Sequence, residues 1–253
     1  YADPEVLFDD IEQLTKVVAA KAQNSMIIAG MPGLGKTWHV EQTLLDLYGS
    51  PKGPDARWRH YKGSRLTVFG LYNALYRNRN DMVIVFDDSD SVWSDKDSVN
   101  ILKSALDTYP IRTLSWTSKA TQNVQQMTKD ERDSYELMVD TDTEGDTKLP
   151  NEFEFTSSVI FLSNFPPKKI DAAVRSRSLF VDVYLRRIDI VNRIKSILKI
   201  THMEVPWEIK ERIIDALANS NKELTIRAVQ ASIALVNTLG ENSDWQRMAN
   251  LYA

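Results

Sequence analysis

The chain has 253 residues, 43% apolar and 26% charged, with a net charge of −4. This length and composition suit one large domain, or one with a small appendage, and exclude a disordered or fibrous chain. With no cysteine and three scattered histidines (His39, His60, His202), disulfides, thiolate catalysis and cysteine-based metal sites are excluded, and a histidine-rich metal centre is not expected.

Residues 4–23 carry Val6, Leu7, Ile11, Leu14, Val17 and Val18 at helical spacing, which predicts a helix. Residues 25–29 form a short apolar run ending at glycine, the pattern of a buried strand. A glycine-rich loop then leads into a helix through about residue 47, followed by a turn-rich connector at 51–55. The pattern predicts a strand at 57–62 and a helix at 66–77 with Leu66, Phe69, Leu71 and Leu75 inward. Buried strands are expected at 82–86, 159–162 and 179–185, and a helix at 100–106. From residue 188 only helical patterns occur, at 188–200, 206–218 and 225–239, with a shorter one near Trp245. In the third, Ile226, Val229, Ile233 and Val236 share one face. The chain therefore divides near residue 187 into an alternating strand/helix part (1–187) and an all-helical part (188–253). Alternation predicts a parallel sheet sandwiched by helices. Residues 117–148 hold eight acidic and four basic residues with little periodicity and read as an acidic insertion.

No apolar run approaches the roughly 18 to 20 residues of a membrane helix. No secretory leader follows Tyr1. No membrane partner is expected, and the expected location is cytoplasmic. The net charge argues against coating nucleic acid with the whole surface but leaves room for a local basic groove.

Gly30-Met-Pro-Gly-Leu-Gly35-Lys36-Thr37 fits G-x-x-x-x-G-K-[ST] at every position. In such a loop Gly30, Pro32, Gly33, Leu34 and Gly35, with Trp38 just beyond, line a nucleotide's phosphates, and the backbone N–H groups of the non-proline residues wrap them. Lys36 reaches the β and γ phosphates, Thr37 ligates Mg2+, and the following helix adds its N-terminal dipole. The strand at 82–86 ends in Asp87-Asp88. Asp87 is the expected Mg2+-side carboxylate at the sheet's C-terminal edge, and Asp88 the base that orients and deprotonates water.

With these motifs the chain resembles the AAA+ ATPases along almost its whole length: a P-loop NTPase sheet followed by a small helical lid. Val159-Ile-Phe-Leu-Ser-Asn164-Phe-Pro resembles the family's sensor 1 strand, with Asn164 as its polar tip. Ile170-Asp-Ala-Ala-Val-Arg175-Ser-Arg177-Ser is similar to the arginine-finger segment, with Arg177 fitting best and Arg175 as second choice. Leu224-Thr-Ile-Arg227 resembles sensor 2, which implies that Arg227 contacts the nucleotide. The resemblance implies ATP as the nucleotide and self-association into a ring or spiral, most commonly hexameric, because a finger acts on a neighbouring subunit's γ-phosphate. One departure is Asp-Asp where the family usually has Asp-Glu; the shorter base predicts slow hydrolysis.

In the family, the loop after the second strand often faces a central pore. Here Tyr61, Lys62, Gly63 and Arg65 stand in a run of interleaved aromatics and cations suited to a nucleic-acid backbone, and equally to an edge strand with exposed charges. Residues 111–116 and 151–155 alternate in the strand manner and resemble the hairpin before sensor 1 of one AAA+ branch. Val85-Phe-Asp-Asp-Ser-Asp and Leu102-Lys-Ser-Ala-Leu-Asp resemble AAA+ proteins of tailed-phage genomes. The leading expectation is an ATPase that remodels or translocates DNA in replication, recombination or repair. The alternatives are a MoxR-like chaperone acting on a protein partner, and a weakly hydrolysing switch or loader.

Overall fold

The computed structural model describes residues 3–63, 66–116, 149–200, 205–220, 223–240, 245 and 247. Arg65, the acidic insertion and most of the helix expected near Trp245 lie outside the described residues. The chain forms two compact units, one of Ile11–Gly30 with Lys36–Val183, the other of Tyr1–Asp10 with Met31–Gly35 and Tyr184–Ala253.

The elements are α1 (Pro4–Ala19), β1 (Ser25–Gly30), α2 (Lys36–Tyr48), β2 (Trp58–Lys62), α3 (Val68–Arg77), β3 (Val83–Asp87), α4 (Lys96–Ala105), β4 (Arg112–Ser115), β5 (Glu152–Phe155), β6 (Ser158–Ser163), α5 (Ala172–Arg175), β7 (Leu179–Val183), α6 (Arg187–Ile200), α7 (Trp207–Ala218) and α8 (Ile226–Leu239). The first unit is built on a five-stranded sheet of order β2-β3-β6-β1-β7, every neighbouring pair parallel. The three middle strands are apolar along their length because helices cover both faces of such a sheet, leaving no solvent side for an alternating pattern. The edge strands β2 and β7 are only partly buried and carry the polar residues.

On one face Tyr61 stacks on Phe86 (5.4 Å) and Phe86 on Phe161 (5.1 Å), with Trp93 at 4.8 Å from Phe161. Neighbouring positions of three parallel strands thus form an aromatic ladder, each contact adding about 0.5–1.5 kcal/mol beyond burial. Helices α3 and α4 close this face with Phe69, Leu71, Tyr72, Leu75, Ile101 and Leu102.

β4 and β5 pair antiparallel as the alternation predicts, from Arg112↔Phe155 to Ser115↔Glu152. Leu114, Phe153 and Phe155 face the core. Arg112 latches this hairpin in place. Although buried, its guanidinium donates to the carbonyls of Ala105 (2.8 Å), Ser157 (2.7 Å) and Phe155 (3.3 Å) and lies over the Phe155 ring. Burial pulls its pKa down to about 10, with Asp107 opposing. Tyr72 donates to Pro150 O (2.9 Å), and burial pushes its phenol up to about 12.

Two helix bounds differ most from expectation. α4 begins at Lys96 and not at residue 100, because the Asp95 side chain caps it by accepting from Ser98 N (2.7 Å); apolar periodicity does not register a polar first turn. α1 ends at Ala19, where Lys21 turns left-handed (φ 60°).

In the second unit α6 packs on α7 and α7 on α8. Ile190, Ile194 and Leu198 line α6, Ile209, Ile213 and Leu217 line α7, and Val229, Ile233 and Val236 line α8. Arg187 donates to the carbonyls of Leu217, Ala218 and Ser220, satisfying the C-terminus of α7. Thr225 caps α8 by accepting from Ala228 N (3.1 Å).

Candidate functional site

Three adjacent strands, β3, β6 and β1, end at the same edge of the sheet and deliver the expected groups together. Gly30 closes β1, and its backbone is pressed against β7. A Cβ there would lie 2.4 Å from Val183 O, and φ is +147°, so only glycine fits. The loop then enters α2 at Lys36.

Lys36 is 6% exposed, and its ammonium donates to Gly30 O (2.7 Å) and Asn164 Oδ1 (3.2 Å). Burial lowers its pKa from 10.5 to about 8, while Asp87, Asp88 and Asp90 pull it back up. This poised, desolvated cation with carbonyl and amide partners is suited to exchange them for phosphate oxygens. Thr37 Oγ1 donates to Asp87 Oδ2 (3.0 Å). A hydroxyl and a carboxylate this close are hard oxygen donors that fit Mg2+, which is held by few protein groups alongside phosphates and water.

Asp88 is exposed, sits at φ 55°, and its Oδ1 accepts from Asn164 Nδ2 (2.6 Å). The left-handed backbone at the strand end turns this carboxylate out of the strand's alternation and toward β6. Asn164 therefore bridges Lys36 and Asp88. Its own backbone N–H donates to Asp90 Oδ2 (3.1 Å), and Ser163 Oγ donates to Asp90 Oδ1. Asp90 was not singled out by the sequence motifs; it ties the end of β6 to the segment after β3. His60 and Glu41 were likewise missed. His60 Nδ1 lies 2.8 Å from Glu41 Oε1, and its Nε2 3.5 Å from Asp87 Oδ2. The available signal was the two-residue period of β2, which puts His60 and Lys62 on one face, together with the register that sets Lys62 beside Asp87.

Of the loop residues, Leu34 is buried, Pro32, Gly33 and Gly35 are half-buried, and Trp38 is 57% exposed. Gly33 (φ +73°) lies in the second unit against α8: a Cβ would come within 2.9 Å of Thr225 Cβ, and Gly33 O accepts from Ile226 N at 3.4 Å. Arg227 is exposed on that first turn of α8.

The two finger candidates differ. Arg177 donates to Ala173 O (2.8 Å) and lies 3.7 Å from Asp107, near the start of β1, where Ser25 Oγ donates to its carbonyl (3.4 Å). Arg175 donates to Ile170 O (3.2 Å) and lines a cavity of about 520 Å3 together with Lys103, Lys168 and Lys169. Tyr61, of the expected pore loop, is half-buried: its ring stands in the aromatic ladder, and its hydroxyl accepts from Asn78 Nδ2 (2.7 Å). Lys62 is more than half exposed and pairs with Glu41 (2.7 Å), while Gly63 N donates to Asp87 O (3.0 Å) and extends the β2–β3 pairing.

No family model matches the chain. An uncharacterized 36.7 kDa protein of Enterobacteria phage T4, from the nrdC-mobD intergenic region, is 26% identical over 192 residues, covering 71% of this chain and 51% of the relative. The chain thus spans about half the length of that relative. Domain III of the Thermotoga maritima replication initiation protein DnaA is similar in structure, with a TM-score of 0.50 at 13% identity over 96% of this chain and 89% of that one. A point variant of Thermotoga maritima RuvB gives a TM-score of 0.52 at 12% identity over 97% of this chain and 67% of that one. The two structural likenesses show the fold alone: a parallel five-stranded sheet flanked by helices, with a helical C-terminal part.

Proposed function

We propose that the chain is an AAA+-type ATPase module that binds ATP with Mg2+, hydrolyses it at interfaces between subunits, and acts on DNA. The observation that carries this reading is the bonded network in which Lys36, Thr37, Asp87, Asp88 and Asn164 meet at the ends of three neighbouring strands. In this reading residues 1–187 form the nucleotide-binding domain, interrupted by the insertion at 117–148, and residues 188–253 the lid.

Bound Mg2+ would supply charge neutralisation at the phosphates, with Thr37 and Asp87 as its protein-side oxygens. Lys36 holds the phosphates, the loop N–H groups orient them, and Asn164 positions water. Asp88 accepts that water's proton as it attacks. Arg227, on the helix whose first turn abuts Gly33, serves the sensor 2 role. Each arginine donates to a carbonyl of its own segment; Arg175 takes the finger role in preference to Arg177 because it opens onto a cationic cavity, whereas Arg177 lies against Asp107. Ring or spiral assembly, commonly hexameric in the resembled family, follows from a finger acting on a neighbour. Lys62 and Gly63, with Arg65, are the proposed polymer contacts, and the likeness to a phage T4 protein supports a viral or bacterial setting.

A second reading, the slowly hydrolysing switch, is favoured by the Asp88 carboxylate being held by Asn164. ATP turnover per subunit, measured over a protein-concentration series with and without single-stranded DNA, tests both. Turnover rising with concentration and again with DNA supports the motor. ATP binding with flat, near-zero turnover supports the switch, and stimulation by an unfolded protein instead of DNA supports the chaperone. Arg175→Ala should remove the concentration-dependent turnover while Arg177→Ala keeps it; the opposite pattern would return the finger role to Arg177.

A further inference from the structure

The deepest polar group near the site that the nucleotide reading leaves without a task is the His60 imidazole. Its side chain is 5% exposed, and its Nε2 is a buried nitrogen with no hydrogen-bond partner, although Asp87 Oδ2 is only 3.5 Å away. The tautomer explains this. Glu41 Oε1 can only accept, so Nδ1, 2.8 Å away, carries a proton, and in that tautomer Nε2 presents a lone pair. Lys62 Nζ lies 2.7 Å from the same Glu41 oxygen and holds that carboxylate in place. Nε2 and Asp87 Oδ2 are then two acceptors side by side, and neither can satisfy the other. A donor approaching both from one side would satisfy them.

We infer that His60, beside the Mg2+-side carboxylate of Asp87, is an outer acceptor for hydrated Mg2+, with Nε2 accepting a hydrogen bond from a metal-bound water. This rests on the nucleotide reading above and adds a positioning residue to it. Mg2+ gives up water reluctantly and keeps several molecules in its shell, so acceptors one layer out are part of its site. β2 is suited to carry such a residue. Its register with β3 sets Lys62 beside Asp87 and His60 beside Val85, so His60, Lys62, Val85 and Asp87 share a sheet face. The opposite face is fixed by Tyr61 on Phe86.

The test uses two variants that divide the imidazole's functions. His60→Asn keeps a donor where Nδ1 meets Glu41 but is too short to reach Asp87. His60→Gln can present its amide oxygen near the position of Nε2. Binding of a fluorescent ATP analogue is titrated with Mg2+, and separately measured in EDTA. The Mg2+ midpoint of His60→Asn should rise about tenfold while that of His60→Gln stays within about threefold of the parent, the range seen when groups behind metal ligands are changed. Analogue binding in EDTA should be equal in all three proteins. Equal Mg2+ midpoints overturn the inference, as does weakened binding in EDTA that parallels the midpoint change, which would mean a structural role. A parent protein that binds the analogue without any dependence on Mg2+ overturns it as well. One that binds no nucleotide at all overturns the reading beneath it.

Discussion

Lys36→Met tests the electrostatics of the phosphate site without any ligand. Below pH 8 the folded chain holds a buried ammonium whose pKa has fallen from 10.5 to about 8, chiefly by desolvation. That gap corresponds to roughly 3 kcal/mol of instability, at about 1.4 kcal/mol per pH unit. Methionine fills similar space and removes the charge, and it also forfeits the bonds to Gly30 O and Asn164 Oδ1, worth about 1 kcal/mol each. The variant is therefore expected to be more stable than the parent at pH 7, by about 1 kcal/mol. Between pH 8 and 10.5 the unfolded chain still binds the Lys36 proton and the folded one does not, so the parent gains stability as pH rises through that window. The variant lacks this gain, and its advantage should fall by about 2–3 kcal/mol from pH 7 to pH 10 and reverse sign. Urea unfolding of the two nucleotide-free proteins across this range measures it, with all other titrating groups cancelling in the difference. A stability difference that does not change with pH would refute the account of Lys36 as a strained buried cation.

Asp88→Asn tolerates the same left-handed backbone but cannot take a proton; single-turnover hydrolysis should fall by about a hundredfold or more while nucleotide affinity stays within about threefold. Arg112→Ala leaves three buried carbonyls without their donor and unlatches the hairpin, which should cost about 3 kcal/mol in urea unfolding. Gly33→Ala and Gly49→Ala introduce a side chain at nearly the same positive φ, but only Gly33 meets Thr225, whereas Gly49 faces open space. Both should lose about 1 kcal/mol to backbone strain, and Gly33→Ala about 1–2 kcal/mol more, read from melting or urea curves.

The glycine-rich loop between β1 and α2 was legible because its motif lies in consecutive residues whose spacing is itself the signal. The buried strands were legible because a two-sided burial pattern leaves an unbroken apolar run, and the hairpin because one face of it meets the core. What stayed hidden depends on register. Glu41, His60 and Asp87 meet only because β2 lies beside β3 in one alignment and α2 packs over that face; a single-residue slip would separate them. Asp90 was visible only as one more acidic residue in a turn. Tyr61 shows the same limit from the other side: an aromatic between cations suggests a loop contact, and only the neighbouring Phe86 reveals that it is a rung of the core. Arg112, a charge in an alternating strand, reads as solvent-facing until the three carbonyls around it are known.

Asn164 lies between a cation and an anion, and that gives its amide a polarity. The carbonyl end faces the ammonium and the NH2 end faces the carboxylate; turned by half a rotation, both ends would meet the wrong partner. Aspartate in its place would set two carboxylates against each other, and serine is too short to touch both sides at once. The link therefore has a sense of direction. In the proposed nucleotide reading, Lys36 turning toward a phosphate would take from the carbonyl end the partner that holds it and leave the amide free to rotate and release Asp88. A single neutral side chain would then make the freedom of the proposed base conditional on the occupation of the lysine.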